Sequence, residues 1–345
     1  MTNVRSQQLN RRIAIALLAL AFALLSAPKA SHAMTIAPPF LDLTLDPGTV
    51  VADVIQVYNE ESVPFKIEPV AQNFYAKSDD EKLGAPDFYG PEEVRTGYEM
   101  ANWIEFGVEE TLIQPGEWVN VPITIRVPKD AQPGGHFGAV QIIASKPDEI
   151  APMEESSVSI VRGTSVLIFV RVNGETIDQL TVSSFKADAG LYGRLPVDFT
   201  IRLMNGGTTH QRPVGNVVIE DMWGRQVASI PVNPGPQYKA VLPGLARRFD
   251  VSWLKRRLPD GASEYEQQLK NFALGKYRAT LLLNYRAKDG QEALTSVTEF
   301  WVFPWMALLT YAGILLVVLV VLAGILKAYN RMLIRRYEAS KKRKP

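Results

Sequence analysis

The residue types from which enzymes build metal sites are sparse in this chain. It has no Cys and three His, of which His136 and His210 lie between positions 34 and 303. A zinc site needs three or four His, Cys or carboxylate ligands, and the sequence has no His-Glu-x-x-His pattern and no His cluster. The acidic run Asp79-Asp80-Glu81 lacks the alternating spacing of an EF-hand calcium loop. We therefore expect no metal site and no cofactor.

Covalent catalysis has one weak signal, because Ser183 to Lys186 fits the pattern Ser-x-x-Lys. A pattern this short arises by chance in a chain of this length, and the accompanying motifs of the lactamase type are missing. No Gly-x-Ser-x-Gly elbow and no phosphate-binding glycine loop occurs. We predict that the chain is not an enzyme. A membrane-tethered glycan hydrolase remains an alternative, since its two carboxylates meet only in space.

The segment best suited to binding runs from Phe74 to Trp103 and does not alternate like a strand. It combines carboxylates, Gly and Pro with several aromatic residues, and it makes the first half longer than the second: 56 positions separate Asn59 from Pro115, but 38 separate Asn205 from Pro243. Long connections in compact domains often carry function. Aromatic rings beside carboxylates suit a sugar polymer, although the rings could equally pin the loop to its domain. The candidate contacts to a partner or glycan are Tyr75, Phe88, Tyr89, Tyr98 and Trp103.

Short apolar segments rich in β-branched residues must position such a loop. Several alternate apolar and polar residues, which is typical of half-buried strands, and Gly, Pro, Asn and Asp separate them. Examples are Val50–Val57, Val119–Val127, Val166–Val172 and Tyr277–Leu283. The single helix expected in this region is short, from Glu264 to Phe272. The pattern predicts an all-β fold built of sandwiches.

An internal repeat divides these strands into two sets. Each set has a strand that ends in Asn, then a Pro-Gly turn into a strand, then a Gly that opens a further strand. Pro and Gly suit the two central positions of a type II turn. The three features are Asn59, Pro115-Gly116 and Gly134 in the first half and Asn205, Pro243-Gly244 and Gly275 in the second. The matching order favours duplication, so we predict domains at 34–176 and 177–303.

These turn and strand elements, with Leu45-Asp-Pro-Gly48 and Val127-Pro-Lys-Asp-Ala-Gln-Pro-Gly134, look like bacterial immunoglobulin-like modules. The whole layout resembles the WxL-interacting protein family of bacterial surface proteins. The resemblance implies a signal peptide, two tandem immunoglobulin-like β-sandwich domains, one C-terminal span and a basic tail. It also implies that the first domain binds peptidoglycan and that the second binds a host or partner protein.

The two predicted domains differ in charge, although the chain carries +1 overall. Met34 to Thr176 has 9 Lys and Arg against 23 Asp and Glu, a net of −14. Ile177 to Phe303 has 16 against 12, a net of +4. A mildly basic second domain would be attracted to anionic lipid or wall polymer, although ordinary surface charge explains the numbers equally well. We expect a cell-wall polymer or a surface protein as partner, and no nucleic acid.

The C-terminal region predicts a membrane span. No charged residue occurs from Trp301 to Leu326, and about 20 apolar residues suffice to cross the hydrocarbon core. We place a transmembrane helix at 304–326 and a basic tail at 327–345. An excess of Lys and Arg after a span marks the cytoplasmic side, and aromatic residues at the other end suit the headgroup layer. The sequence thus predicts a single-pass protein of the cell membrane with its domains outside.

The N-terminus predicts export. Arg5, Arg11 and Arg12 precede the apolar run Ile13–Leu25, and Ser31-His32-Ala33 offers small residues at the −3 and −1 positions of a cleavage site. We assign residues 1–33 to a signal peptide. The resulting expectation is a non-enzymatic bacterial surface protein that binds wall polymer or a protein partner. A chaperone-like accessory subunit of an envelope assembly, which pairs a sheet edge with a client strand, remains an alternative.

Overall fold

Two β-sandwiches and a long C-terminal helix make up the described part of this protein in a computed structural model. It describes residues 34–77, 86–145, 162–236, 238–259, 261–287 and 290–341. The predicted signal peptide and Asp79, Asp80 and Glu81 lie outside the described residues. The predicted fold class, two tandem immunoglobulin-like sandwiches followed by an apolar helix, is confirmed.

In the residues that the structure describes, sandwich 1 has ten strands in two sheets. Sheet A has the order β1-β3-β8-β6, and sheet B has the order β2-β10-β9-β4-β5, with β7 paired to β4. The strands are β1 Met34–Ala37, β2 Phe40–Leu45, β3 Val50–Asn59, β4 Phe65–Ala76, β5 Pro86–Tyr89, β6 Ile104–Phe106, β7 Thr111–Ile113, β8 Trp118–Arg126, β9 Gly134–Ser145 and β10 Arg162–Val172. β2 runs parallel to β10, whereas the other neighbours are antiparallel.

The described part of sandwich 2 has eight strands, also in two sheets. Sheet C has the order β11-β13-β16 and sheet D the order β12-β18-β17-β14-β15. The strands are β11 Leu180–Ala187, β12 Leu191–Tyr192, β13 Val197–Asn205, β14 Val214–Asp221, β15 Gln226–Val232, β16 Ala246–Trp253, β17 Gly275–Ala287 and β18 Gly290–Val302. Helix α1, Glu264–Lys270, lies between β16 and β17, and helix α2, Trp305–Lys341, follows β18.

Each core forms because apolar residues occupy every second position of the strands. In β13, the side chains of Val197, Phe199, Ile201 and Leu203 are buried, whereas Asp198 between them is exposed. Burying one such side chain contributes about 1.5–3 kcal/mol to folding. The two-residue period of a strand therefore places one face of each sheet in the core.

The repeated Asn residues hold equivalent turns in the two sandwiches. Asn59 and Asn205 are both fully buried, and each side-chain amide donates to two backbone carbonyls while its oxygen accepts a backbone N–H two residues further on. The backbone carbonyl of each Asn accepts from the Gly of the Pro-Gly turn, at 2.9 Å in both cases. Gly116 and Gly244 have φ values of +73° and +71°, as the sequence repeat predicts for a type II turn.

The segment from Phe74 to Trp103 is more regular than predicted. β4 continues through Ala76, and β5 pairs with it from Asn73↔Tyr89 to Ala76↔Pro86. The lack of alternation noted for this segment gave no indication of either strand. One side of the hairpin packs on aromatic residues, since the Phe74 ring lies 6.3 Å from that of Phe88 and 6.2 Å from that of Phe137.

The helices agree with the sequence in type but not entirely in length. α1 begins with a capping box, in which Ser263 and Glu266 each accept a backbone N–H of the other residue. α2 continues through position 326, where we ended the span, as far as Lys341, so the span and most of the basic tail form one helix. Its segment Trp305–Arg335 is long and apolar enough to cross a membrane.

We expect Asn205→Ala to lower the free energy of unfolding by about 3 kcal/mol, because it leaves several buried backbone groups unpaired. Asn216→Ala is the matched control, since Asn216 is exposed on β14 and should change stability by less than about 0.5 kcal/mol. Urea unfolding of both variants measures the difference. Equal stability of the two variants would contradict this role of Asn205.

Candidate functional site

The five aromatic residues predicted as partner contacts lie against sandwich 1 to different extents. Tyr89 is buried at 5% exposure, and its hydroxyl donates to Glu99 Oε1 at 2.8 Å. Tyr75, Phe88, Tyr98 and Trp103 are half-buried. The Phe88 ring lies 6.3 Å from that of Phe74, and the Trp103 ring lies 4.5 Å from that of His136. These rings therefore pack on the sandwich, and their contact with a partner stays a prediction.

Glu99 organises the middle of this segment. Burial favours its neutral form, but hydrogen bonds from the backbone N–H groups of Thr96 and Arg95 and from the Tyr89 hydroxyl prevail and lower the pKa of Glu99 to about 2. Burial and the bond to Glu99 raise the pKa of Tyr89 to about 12. The segment is thus fixed by an ionised carboxylate that accepts from its own backbone.

The two sandwiches meet at a junction of charged and aromatic side chains. The Arg212 guanidinium, from the segment between β13 and β14, lies over the rings of Phe40 and Phe169 at 4.3 and 4.6 Å. Arg212 Nη1 also pairs with Asp42 Oδ2 at 2.8 Å. The stacking of a guanidinium on aromatic rings stabilises a fold more strongly when the cation is shielded from water. The side chain of Arg212 is only 14% exposed. The junction therefore binds sandwich 2 to the β2 and β10 strands of sandwich 1.

His210 completes the junction as a neutral side chain. Its Nε2 lies 3.1 Å from Asp42 Oδ1, and its ring stands 5.2 Å from that of Phe169. Burial lowers the pKa of His210 below its ordinary value, despite the opposing effect of Asp42, and Arg212 and Arg171 lower it further. The neutral ring donates its Nε2–H to Asp42, so the ion pair of Asp42 is the one with Arg212.

A backbone contact and an apolar cluster support the same junction. Gly135 N donates to Thr208 O at 2.8 Å, and at Gly134 a Cβ atom would approach that oxygen to 2.9 Å. The apolar cluster joins Phe137 and Phe169 of sandwich 1 to Ala240 and Leu242 of sandwich 2. The backbones approach so closely that only Gly fits at position 134.

A small polar cleft opens beside the junction. Its volume is about 150 Å³, and its lining includes the cations Arg171 and Arg286. Asp178, with 2% side-chain exposure, accepts from Arg171 at 3.0 Å and from Gln211 at 2.8 Å. Arg171 is therefore already paired within the protein.

The outer face of sheet A carries the most open aromatic surface of sandwich 1. Tyr58 and Trp118 are directly opposite on β3 and β8, and their rings stack at 4.9 Å with an interplanar angle of 29°. Trp118 remains 50% exposed. Two residues along each strand, at the next cross-strand pair on the same face, Gln56 Nε2 donates to Asn120 Oδ1 at 3.1 Å. We call Gln56, Tyr58, Trp118 and Asn120 the aromatic platform.

The platform has an open side. β3 flanks β8 on one side as far as Trp118, but on the other side β6 pairs with β8 only from Ile104↔Ile125 to Phe106↔Ile123, so within the described part of the chain no strand lies beside Trp118 on that side. A flat indole face with side-chain amides nearby can stack on an apolar sugar face and hydrogen-bond its hydroxyls. Sequence reasoning missed this site because Tyr58 and Trp118 are distant in the chain. The alternation of both strands was the one available signal.

Within the described residues, no group of three or more His, Cys, Asp or Glu side chains lies close enough together to hold a metal ion. The described residues around the platform and the junction are aromatic, amide and ion-paired side chains. The junction residues hold the two sandwiches together, and the platform residues form an exposed surface on which a ligand could lie.

No protein-family model matches the chain, and no curated protein matches it either. Among solved structures, the chain is similar to the class 5 fimbriae chaperone CfaA, with 12% identity, a TM-score of 0.37 and coverage of 77% of this chain and 99% of that one.

Two further chaperone structures are similar to the same extent. The YadV chaperone shows 9% identity and a TM-score of 0.35, covering 77% of this chain and 99% of that one. The Pseudomonas aeruginosa CupB2 chaperone shows 11% identity and a TM-score of 0.34, covering 77% and 100%. At these identities and TM-scores the matches concern fold and carry no information about function.

We expect the protein to lose stability as the pH falls below about 6.5, because the unfolded chain then binds a proton at His210 that the folded junction resists. The loss should reach at most about 1.4 kcal/mol per pH unit and end below the folded pKa of His210. His210→Gln should remove this part of the slope, while Asp42, Arg171 and Arg212 remain. Thermal unfolding between pH 8 and pH 5 measures it. Parallel curves for both proteins would refute this account of His210.

Proposed function

We propose that this chain is a non-enzymatic surface protein, anchored in a membrane by α2, that binds a cell-wall glycan through the aromatic platform. The observation that carries the glycan proposal is the half-exposed Trp118, stacked on Tyr58 beside an amide pair. The exposed face of the indole offers a flat apolar surface on which a sugar ring can stack, and the amide pair beside it can hydrogen-bond hydroxyl groups.

Membrane anchoring is supported by α2. The most apolar stretch of this helix has none of its residues buried against the sandwiches, so an apolar solvent must cover them. The cations that follow the apolar stretch, beginning with Lys327, favour a cytoplasmic C-terminus. In this orientation both sandwiches lie outside the membrane, where wall polymer is available.

The geometry of the platform favours a polymer over a small ligand. A flat sheet face encloses little of any ligand, whereas small molecules bind in concave sites that bury most of their surface. A polymer gains affinity from several weak contacts along its length, and each further contact is intramolecular once the first has formed. A peptidoglycan or similar wall polymer, whose sugar rings alternate apolar faces and hydroxyl edges, fits this surface.

A second candidate is a partner protein that adds a strand to sandwich 2. β12 pairs with β18 only at Trp301 and Val302. Within the described residues, β11 also lies close to β18, but no strand pairs with that side of β18 from Gly290 to Phe300. Unpaired strand edges are templates for another chain. Val297, which is exposed on this strand, would contact the added segment.

We expect Trp118→Ala to weaken sedimentation of the full-length protein, in detergent micelles, with purified cell wall by about tenfold, because interface aromatics contribute on the order of 1–2 kcal/mol. Trp223→Ala is the matched control, since Trp223 is even more exposed but lies on sandwich 2. Circular dichroism confirms that both variants fold.

Wall binding that survives Trp118→Ala and Tyr58→Ala would contradict the platform as the glycan site. No wall binding by the wild-type protein, together with stoichiometric capture of a protein that Val297→Lys abolishes, would favour strand addition instead.

A further inference from the structure

Sandwich 2 contains an insertion that sandwich 1 lacks. Seven residues, 127–133, connect β8 to β9, whereas 21 residues, 254–274, connect the equivalent strands β16 and β17. We call Leu254–Leu274 the juxtamembrane insertion. It contains α1, whose capping box fixes its start. An insertion of this length on a repeated scaffold geometry is a common place for binding residues.

The juxtamembrane insertion holds the first turns of α2. Gln268 is fully buried, and its Oε1 accepts from the backbone N–H groups of Met306 and Ala307 at 2.9 and 3.2 Å. These N–H groups have no partner within the helix, so Gln268 satisfies the N-terminus of α2. The Tyr265 hydroxyl lies 3.2 Å from Thr310 Oγ1, one turn further along the helix.

These contacts fix the depth of the insertion relative to a membrane. A hydrocarbon core about 30 Å thick corresponds to about 20 residues of helix, at 1.5 Å each. Counted back from Lys327, the first cation after the apolar stretch, about 20 residues reach Ala307. Gln268 contacts α2 at this same residue. The juxtamembrane insertion therefore lies at the level of the outer lipid headgroups.

Aromatic residues mark the same level. Trp301, Phe303 and Trp305 have 52%, 53% and 48% exposure, and they follow one another at alternate positions into α2. Amphipathic Trp rings prefer the interface between headgroups and hydrocarbon. In addition, the Phe272 ring of the insertion lies 5.7 Å from that of Tyr311 on α2.

Two adjacent arginines lie beside this level, and the backbone of the first is fixed by hydrogen bonds. The buried side chain of Asn271 accepts from the N–H of Arg256 at 2.8 Å and donates to its carbonyl at 3.0 Å. The side chains of Arg256 and Arg257 are both exposed. Lys255 differs from them, because its Nζ donates to Phe272 O and burial lowers its pKa. Arg256 and Arg257 are thus the cations that the insertion presents outward.

The two described acidic residues of the insertion pair with other cations. Glu264 lies 3.8 Å from Arg194, and Glu266 lies 3.7 Å from Lys270. Each of these two carboxylates therefore has a cation of its own, whereas the third acidic residue of the insertion, Asp260, lies outside the described residues. The guanidinium groups of Arg256 and Arg257 remain for an external anion, and Arg suits the bidentate recognition of phosphate.

We propose that Arg256 and Arg257 bind the phosphate groups of anionic phospholipids in the outer leaflet. The juxtamembrane insertion thereby holds sandwich 2 against the membrane surface in a fixed orientation. This inference rests on the proposed insertion of α2 into a membrane. Charge complementarity, the depth of Gln268 and the aromatic residues at the same level agree on this occupant.

The test uses the full-length protein in vesicles, with a fluorophore on Leu274→Cys, which is unique because the chain has no Cys. Leu274 is exposed and is the last residue of the insertion. Lipids with a nitroxide on the headgroup quench a fluorophore at that depth. We expect quenching about twice as strong in vesicles containing phosphatidylglycerol as in pure phosphatidylcholine, because anionic lipid attracts the arginines.

The double variant Arg256→Gln/Arg257→Gln should abolish this lipid dependence. The matched control Arg126→Gln/Lys129→Gln, which removes two charges from sandwich 1, should retain it. Equal quenching in both lipids, or unchanged dependence in the double variant, would overturn the lipid site. Release of the unlabelled protein from vesicles by alkaline carbonate would instead refute the membrane anchoring on which the inference rests.

Discussion

The guanidinium of Arg212 is the contact on which the arrangement of this protein depends. It lies between Phe40 and Phe169 and pairs with Asp42, so one side chain of sandwich 2 contacts two strands of sandwich 1. A cation is costly to bury unless it is paired and covered, and both conditions hold only when the sandwiches meet in this register. The junction therefore specifies one relative orientation of the two sandwiches.

A fixed junction gives the two proposed contact surfaces a common frame. The juxtamembrane insertion caps α2 through Gln268, so sandwich 2 is attached to the helix by side-chain contacts as well as by the chain. Arg212 then attaches sandwich 1 to sandwich 2, and the platform residue Trp118 belongs to the rigid sheet A. Binding of wall polymer and contact with lipid would thus occur at a set distance from each other.

Features that depend on the residue types of a short segment could be predicted from the sequence. Features that depend on which strands pair with each other could not. The turns held by Asn59 and Asn205 were predictable, because Asn, Pro and Gly have specific backbone roles. The stacking of Tyr58 on Trp118 was not, since it arises only when β3 and β8 align. The strand Pro86–Tyr89 was missed because its residues do not alternate between apolar and polar. Helix α2 extends beyond the predicted span because polar residues can continue a helix after its apolar stretch ends.

The claim that the sandwiches form one body is tested most directly by a distance between spin labels. Because the chain has no Cys, Ala52→Cys and Thr295→Cys place one label on the exposed surface of each sandwich. We predict one narrow distance distribution in the otherwise unchanged full-length protein, and a clearly broader distribution when Arg212→Ala is added. A broad distribution that Arg212→Ala leaves unchanged would contradict the account.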